Sequence, residues 1–187
     1  SLGEGLARQY AEANERAIYE IGKIIEENKI DCDYISQPAY VFTQEDKYIR
    51  DIEDEVDIAT KLGIKASYVE DLPLSLPIKA AVKFDSQAQF HPRKYLLSLA
   101  QIIEKRVQIF EKSRAVDIEE ERGRYIVITE GGHKVKANKV IIASQYPFYN
   151  KHGIYFTRLY PKRSYILGIY AREKYPGGMY VNAEDPT

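Results

Sequence analysis

The sequence has almost nothing with which to bind a metal or form a disulfide. Its 187 residues include 1 Cys, 3 His, 1 Met and no Trp. A single Cys excludes a disulfide framework and any thiolate-built zinc or iron–sulfur site within these residues. His91, His133 and His152 show no His-Glu-x-x-His or similar spacing, so no metal site is expected. Neither sign of charge dominates: 27 Lys+Arg against 28 Asp+Glu leave a net charge of −1. Phosphate binding wants a basic field, so a nucleic-acid scaffold is excluded. No apolar run approaches the roughly 20 residues a membrane helix needs. There is no initiator Met and no leader pattern of basic residues, apolar stretch and cleavage site, so neither terminus is expected to be a natural one. A cytoplasmic location is expected. No Gly-x-Gly-x-x-Gly follows a strand, so the loop that seats a pyrophosphate on a helix N-terminus is missing. Repeats and low-complexity stretches are missing too.

What is present is the profile of a globular chain, 44% hydrophobic and 29% charged, with 16 Tyr. Leu6, Tyr10, Ala13, Ala17, Ile21, Ile24 and Ile25 recur at helical spacing and predict a helix from Glu4 to Glu27. Tyr34 to Thr43 reads as extended, with Pro38 marking an edge or a bend. Ile49, Ile52, Val56, Ala59 and Leu62 stripe a second helix over Asp46 to Leu62, with Gly63 placed as its cap. The prolines at 73 and 77 make Leu72 to Pro77 a pinned loop, and Ala80 to Phe84 a short strand follows. Pro92 opens a third helix, ending near Arg106. Strands are then expected at Val107–Phe110, Ala115–Glu119, Tyr125–Thr129 and His133–Ala137. The run Val140-Ile141-Ile142-Ala143 has the continuous apolarity of a strand covered on both faces. Ile154–Tyr160, Ser164–Tyr170 and Met179–Asn182 complete the strand expectations. The fold class predicted is α+β: a mixed, mainly antiparallel sheet with three amphipathic helices, part of a parallel sheet and a β-ribbon excursion.

The most informative stretch is the order from Pro92 to Ser144: helix, strand, three-stranded ribbon, apolar strand. Its pattern of Thr129, Gly132, Val135 and Ala137 before Val140-Ile141-Ile142-Ala143-Ser144 resembles the second FAD-contacting motif of two-dinucleotide-fold flavoproteins. Small residues at such a strand end let backbone approach a dinucleotide. Ala143 and Ser144 match, while Gln145 stands where that family usually has Gly. The resemblance implies adenine contacts from backbone at Val116, with Ala115 beside it.

Further resemblances run in order along the chain. They are Gly3-Glu4-Gly5 with Ala11 to Ile18, Phe90 to Leu96, Arg163-Ser164-Tyr165 and Gly177-Gly178-Met179-Tyr180. Together they resemble the middle of a FAD-dependent oxidoreductase of the D-amino-acid oxidase and glycine oxidase superfamily, in the bacterial branch that often carries a Rieske domain. That implies residues 1–90 in a substrate-side domain, 91–145 in the FAD-binding domain, and 146–187 returning to the substrate-side sheet. It also implies an amine or amino-acid substrate and FAD in the parent protein. The 187 residues are expected to be an inactive fragment that binds FAD weakly or not at all. Apolar surface left exposed by the cut predicts dimerisation. Two other readings stay open: a stand-alone, non-catalytic binding module, and a glycerol-phosphate-type or quinone-linked flavin dehydrogenase.

Arg163 and Tyr165 are substrate candidates, because an Arg at a turn between aromatic strands pairs bidentately with a carboxylate, as amino-acid oxidases do. Tyr180 lines the same cavity in that reading, and His91 either touches substrate or caps the third helix. Against these stands a solvent-exposed Lys162-Arg163 turn with amphipathic sheet tyrosines. Tyr19/Lys23 and Tyr170/Lys174 fit Tyr-x-x-x-Lys, a chance match among so many tyrosines. Cys32 reads as a small buried residue.

Overall fold

The computed structural model describes residues 3–151 and 153–184; His152 lies outside the described residues. The chain packs as two compact units, residues 1–106 with 170–187, and residues 107–169.

In the first unit, helix α1 (Glu4–Asn28) stops where Lys29 turns left-handed, at φ 52, with its N–H on the Glu26 and Ile25 carbonyls. The expected stretch 34–43 is split at Pro38 into β1 (Ile35–Ser36) and β2 (Ala39–Thr43). A 3-10 turn (Asp46–Tyr48) leads into α2 (Ile49–Lys61), and Gly63 beyond it has φ +86. Strands β3 (Ala66–Val69), β4 (Ala80–Phe84) and β5 (Ala88–Gln89) follow, then α3 (Pro92–Ile103). The sheet is β3-β4-β2 with β9 (Met179–Asn182) added in parallel on β2, and β1 pairs with β5 separately.

Strand alternation decides which side chains meet α2. Val41, Val82, Tyr68 and Ala66 pack with Ile49, Ile52 and Val56 of α2. The opposite face carries a cross-strand row of Ser67, Lys83, Tyr40 and Tyr180. A second core joins Ile21, Ile24 and Ile25 of α1 to Ile30, Cys32 and Tyr95, Leu99 and Ile102 of α3. Because α3 packs there, the break in packing falls after Arg106.

The second unit is built on an antiparallel ribbon of β6 (Ala115–Glu121), β7 (Arg124–Thr129) and β8 (Lys134–Ala137). The expected α+β chain with three helices and mainly antiparallel strands is thus observed. Four of the strand expectations are corrected. Residues 107–110, 140–143 and 164–170 form no strand, and 154–160 holds a 3-10 turn, Tyr155–Arg158. None of the four stretches joins a ladder among the described residues, and without one an apolar run does not become a strand. β3 and β5 were not anticipated, since four and two residues are too short to show an alternation.

Candidate functional site

The ribbon carries the one break in its ladders at the position the sequence singles out. Ala115 pairs with Thr129, yet the next pair is Asp117 with Ile128. Val116 is therefore the extra residue of a bulge, with no Cα partner in the register. Its side chain is exposed. Just beyond, Asp117 Oδ1 accepts from the Ile118 N–H at 2.8 Å, and Oδ2 accepts from Lys151 Nζ at 2.8 Å. The Lys151 ammonium, and then the Ile118 N–H, hold the Asp117 carboxyl below its ordinary range; the same bond raises Lys151.

At the same end of the ribbon, the Thr129 hydroxyl accepts from the His133 N–H at 3.1 Å, and Gly132 turns at φ +77. Thr129 and Gly132 thus build the turn between β7 and β8. The apolar run after β8 borders a cavity of about 440 Å³, where Val140, Ile141 and Ile142 face Ile118, Tyr125 and Tyr149. A second, of about 470 Å³, is bordered by Val140, Ile142 and Ser144 with Pro147, Tyr155 and Leu159. Ala143, Ser144 and Gln145 are exposed, and no hydrogen bond engages them among the described residues.

The sequence-predicted cofactor residues lie apart on this unit, Val116 at the Thr129 end of the ribbon and Ala143–Gln145 on the chain that follows β8. Bulged backbone at Val116 and free backbone beside small side chains at Ala143 and Ser144 are what close approach requires. They do not supply a pyrophosphate clamp, because the sole helical element among the described residues of this unit is the turn Tyr155–Arg158. Arg163 and Tyr165 lie on exposed, irregular chain, Tyr165 at 95% exposure, and neither has a hydrogen bond, ion pair or ring contact among the described residues.

The other two candidates belong to the first unit. His91 caps α3, its Nδ1 accepting from the Lys94 N–H at 3.5 Å, while its own N–H donates to the Cys32 carbonyl at 2.7 Å. Tyr180 stacks on Tyr40, with centroids 5.0 Å apart and planes 6° off parallel. Its hydroxyl donates to the Gly177 carbonyl at 2.8 Å, and Tyr175 donates to the Gly178 carbonyl at 2.7 Å. Gln37 Oε1 accepts from the Gly178 N–H at 2.8 Å. Both glycines sit at φ +89, and a Cβ on Gly178 would come 2.7 Å from Tyr180 Oη. Burial raises the Tyr180 phenol above its ordinary range, with Tyr175 and Tyr40 adding to it.

Sequence reasoning missed Gln37, Tyr175, Asp117 and Lys151. Tyr175-Pro176-Gly177-Gly178 signals a turn, so Tyr175 was within reach; nothing local marks Lys151 as the partner of a residue 34 positions away. Cys32 is buried, and burial followed by Asp33 and Asp31 pushes its thiol up, the reverse of an activated cysteine. Among the described residues no group of three or more His, Cys, Asp or Glu is placed to hold a metal, and no helix is long and apolar enough to cross a membrane.

The first unit holds a mixed sheet backed by α2 and the second an antiparallel ribbon with a bulge, which makes an α+β chain. The chain belongs to the FAD dependent oxidoreductase (DAO) family, whose pattern matches residues 2–186. It is 41% identical over its whole length to YhfW of Bacillus subtilis (strain 168), which carries the name of a Rieske 2Fe-2S iron–sulfur protein. The chain spans 36% of that relative's length. Among solved structures it is similar to glycine oxidase from Geobacillus kaustophilus, with a TM-score of 0.61 and 17% identity, covering 72% of this chain and 39% of that one. L-Amino acid deaminase from Proteus myxofaciens in complex with anthranilate matches at TM-score 0.54 and 15% identity, over 63% of this chain and 30% of that one. L-Proline dehydrogenase from P. horikoshii matches at 0.52 and 16%, over 63% and 34%. At these identities the structures establish a shared fold.

Proposed function

We propose that these residues belong to a longer FAD-dependent oxidoreductase that oxidises an amine or amino acid. The observation that carries it is the bulge at Val116 together with the unengaged backbone at Ala143–Gln145, in a chain matched by the DAO family over residues 2–186. Bound FAD supplies the hydride-accepting chemistry. The chain's part is to hold and orient. Val116, with Ala115 beside it, offers main-chain N–H and C=O to adenine, and Ala143, Ser144 and Gln145 let backbone lie against the dinucleotide. In this reading residues 1–90 and 146–187 serve the substrate side and 91–145 the cofactor side.

Arg163 pairs with a substrate carboxylate and Tyr165 packs beside it, both recruited from exposed chain. Tyr180 already donates its proton to Gly177, so it offers substrate an accepting lone pair. His91 has Nδ1 engaged in the cap, which leaves Nε2 for a substrate. The 187 residues alone are inactive in this proposal, because no Gly-x-Gly-x-x-Gly is among them.

The test is to purify the 187-residue chain and the full-length protein and record the flavin band at about 450 nm. Full-length protein is expected to carry flavin that bleaches anaerobically with an amine or amino acid. A panel of glycine, D- and L-amino acids and simple amines that leaves it unbleached overturns the substrate class. A stoichiometric flavin band in the 187-residue chain overturns the expectation that it binds FAD weakly or not at all.

A further inference from the structure

We infer that Asp117 and Lys151 are positioning residues that set the bulge at Val116, and through it how tightly the adenine end of FAD is held. The inference rests on the proposed contact at Val116. A bulge is a local twist in the ribbon, and its geometry depends on what restrains the residues beside it. Here a single ammonium restrains both residues that follow Val116. Lys151 Nζ lies 2.7 Å from Asp117 Oδ1 and 2.8 Å from Oδ2, and it reaches the Ile118 carbonyl at 3.5 Å. The carboxylate at the same time accepts from the Ile118 N–H, so it is fixed from its own strand as well as from the residue-151 side. Lys151 also lies 5.7 Å over the Tyr149 ring, and Tyr149 borders both cavities along the 140–144 run.

Stability does not explain this arrangement. The pair's side chains are 51% and 36% exposed, and exposed pairs add little to folding. What the pair does is hold the direction of the main chain at the bulge. Its loss therefore acts on a ligand read at Val116, and not on one read elsewhere. FAD carries adenine and FMN does not, which gives a discriminating measurement.

Full-length protein is stripped of cofactor and titrated with FAD and with FMN, as wild type, Lys151→Met, Asp117→Asn and Lys151→Arg. Each of the first two variants is expected to bind FAD about fivefold more weakly, with FMN affinity and melting temperature unchanged. Lys151→Arg keeps the charge and restores FAD affinity. Hydrogen exchange adds a second readout: FAD protects the amides of residues 115–118 in wild type and protects them less in Lys151→Met. Equal FAD affinity in all variants, or FAD and FMN weakening together, overturns the inference. A wild-type protein in which FAD leaves the Val116 amide unprotected overturns instead the contact on which it rests.

Discussion

Val82 and Ala80 in β4 have no solvent exposure, whereas Ile141 in the second unit is 90% exposed. Both lie in short apolar runs, Ala80-Ala81-Val82 and Val140-Ile141-Ile142. The difference is the company each finds. β4 lies between β2 and β3 and is covered by Ile49, Ile52 and Val56 of α2, all supplied by the same unit. The run 140–143 finds no strand on either side among the described residues. A continuous apolar run asks for neighbours on two faces and two edges. An amphipathic element asks for one face only, and a short chain meets that demand more easily.

The comparison is broken most sharply by truncating one residue from each run. Val82→Ala is expected to cost about 2 kcal/mol, because it opens a cavity under α2. Ile141→Ala is expected to stay within about 0.5 kcal/mol. Urea denaturation of the 187-residue chain measures both. Equal losses would mean that the second run is buried after all.

Gly178→Ala ranks next, at about 1–2 kcal/mol. The new Cβ meets Tyr180 Oη at 2.7 Å with the backbone at φ +89, so the Tyr180–Gly177 hydrogen bond has to break. Faster amide exchange in Met179–Asn182, with β3 and β4 unchanged, is the expected signature.

The smallest effects are electrostatic. Asp33 is held below its ordinary range, first by the hydrogen bond from Lys94, with the positive charge of Lys94 adding to it. The unfolded chain therefore takes up this proton first as pH falls. The stabilisation is fully present above the ordinary carboxylate range of about 4 and is lost below it, through the depressed folded value. Asp33→Asn is expected to remove a small part of the acid-induced loss of stability. Urea midpoints at about pH 5 and pH 3, compared with wild type, measure it. An equal or greater acid loss in the variant would show that the pair does nothing for the fold. For the second unit, Lys151→Asp should lower flavin affinity more than Lys151→Met does, since it sets like charges together at Asp117. Titration of full-length protein checks that order.

The sequence made legible whatever had a period or a punctuation mark. α1 and α2 announced themselves by Ile and Val spacing, and α3 by Pro92 behind its His91 cap. Strands β4 and β9 fall at the expected residues. What stayed illegible was pairing. Val107 to Phe110 has every strand preference, yet strand formation depends on a partner that preference cannot reveal. The site divides in the same way. Thr129 and Gly132 were readable as turn chemistry, while the Asp117–Lys151 ion pair and the Gln37–Gly178 bond join residues far apart in sequence.

The parallel seating of β9 beside β2 also bears on how the chain is made. Gly178 bonds to a residue 141 positions earlier, and everything from 107 to 169 is synthesised between the two. Until Met179–Asn182 leaves the ribosome, β2 presents an open edge, with Ala39, Tyr40, Val41 and Phe42 awaiting their ladder. Such long-range closure is slow, and a nascent chain in that state is exposed to wrong strand partners. Expression yield is therefore expected to depend on chaperone supply during synthesis, and to fall sharply for chains ending before Met179.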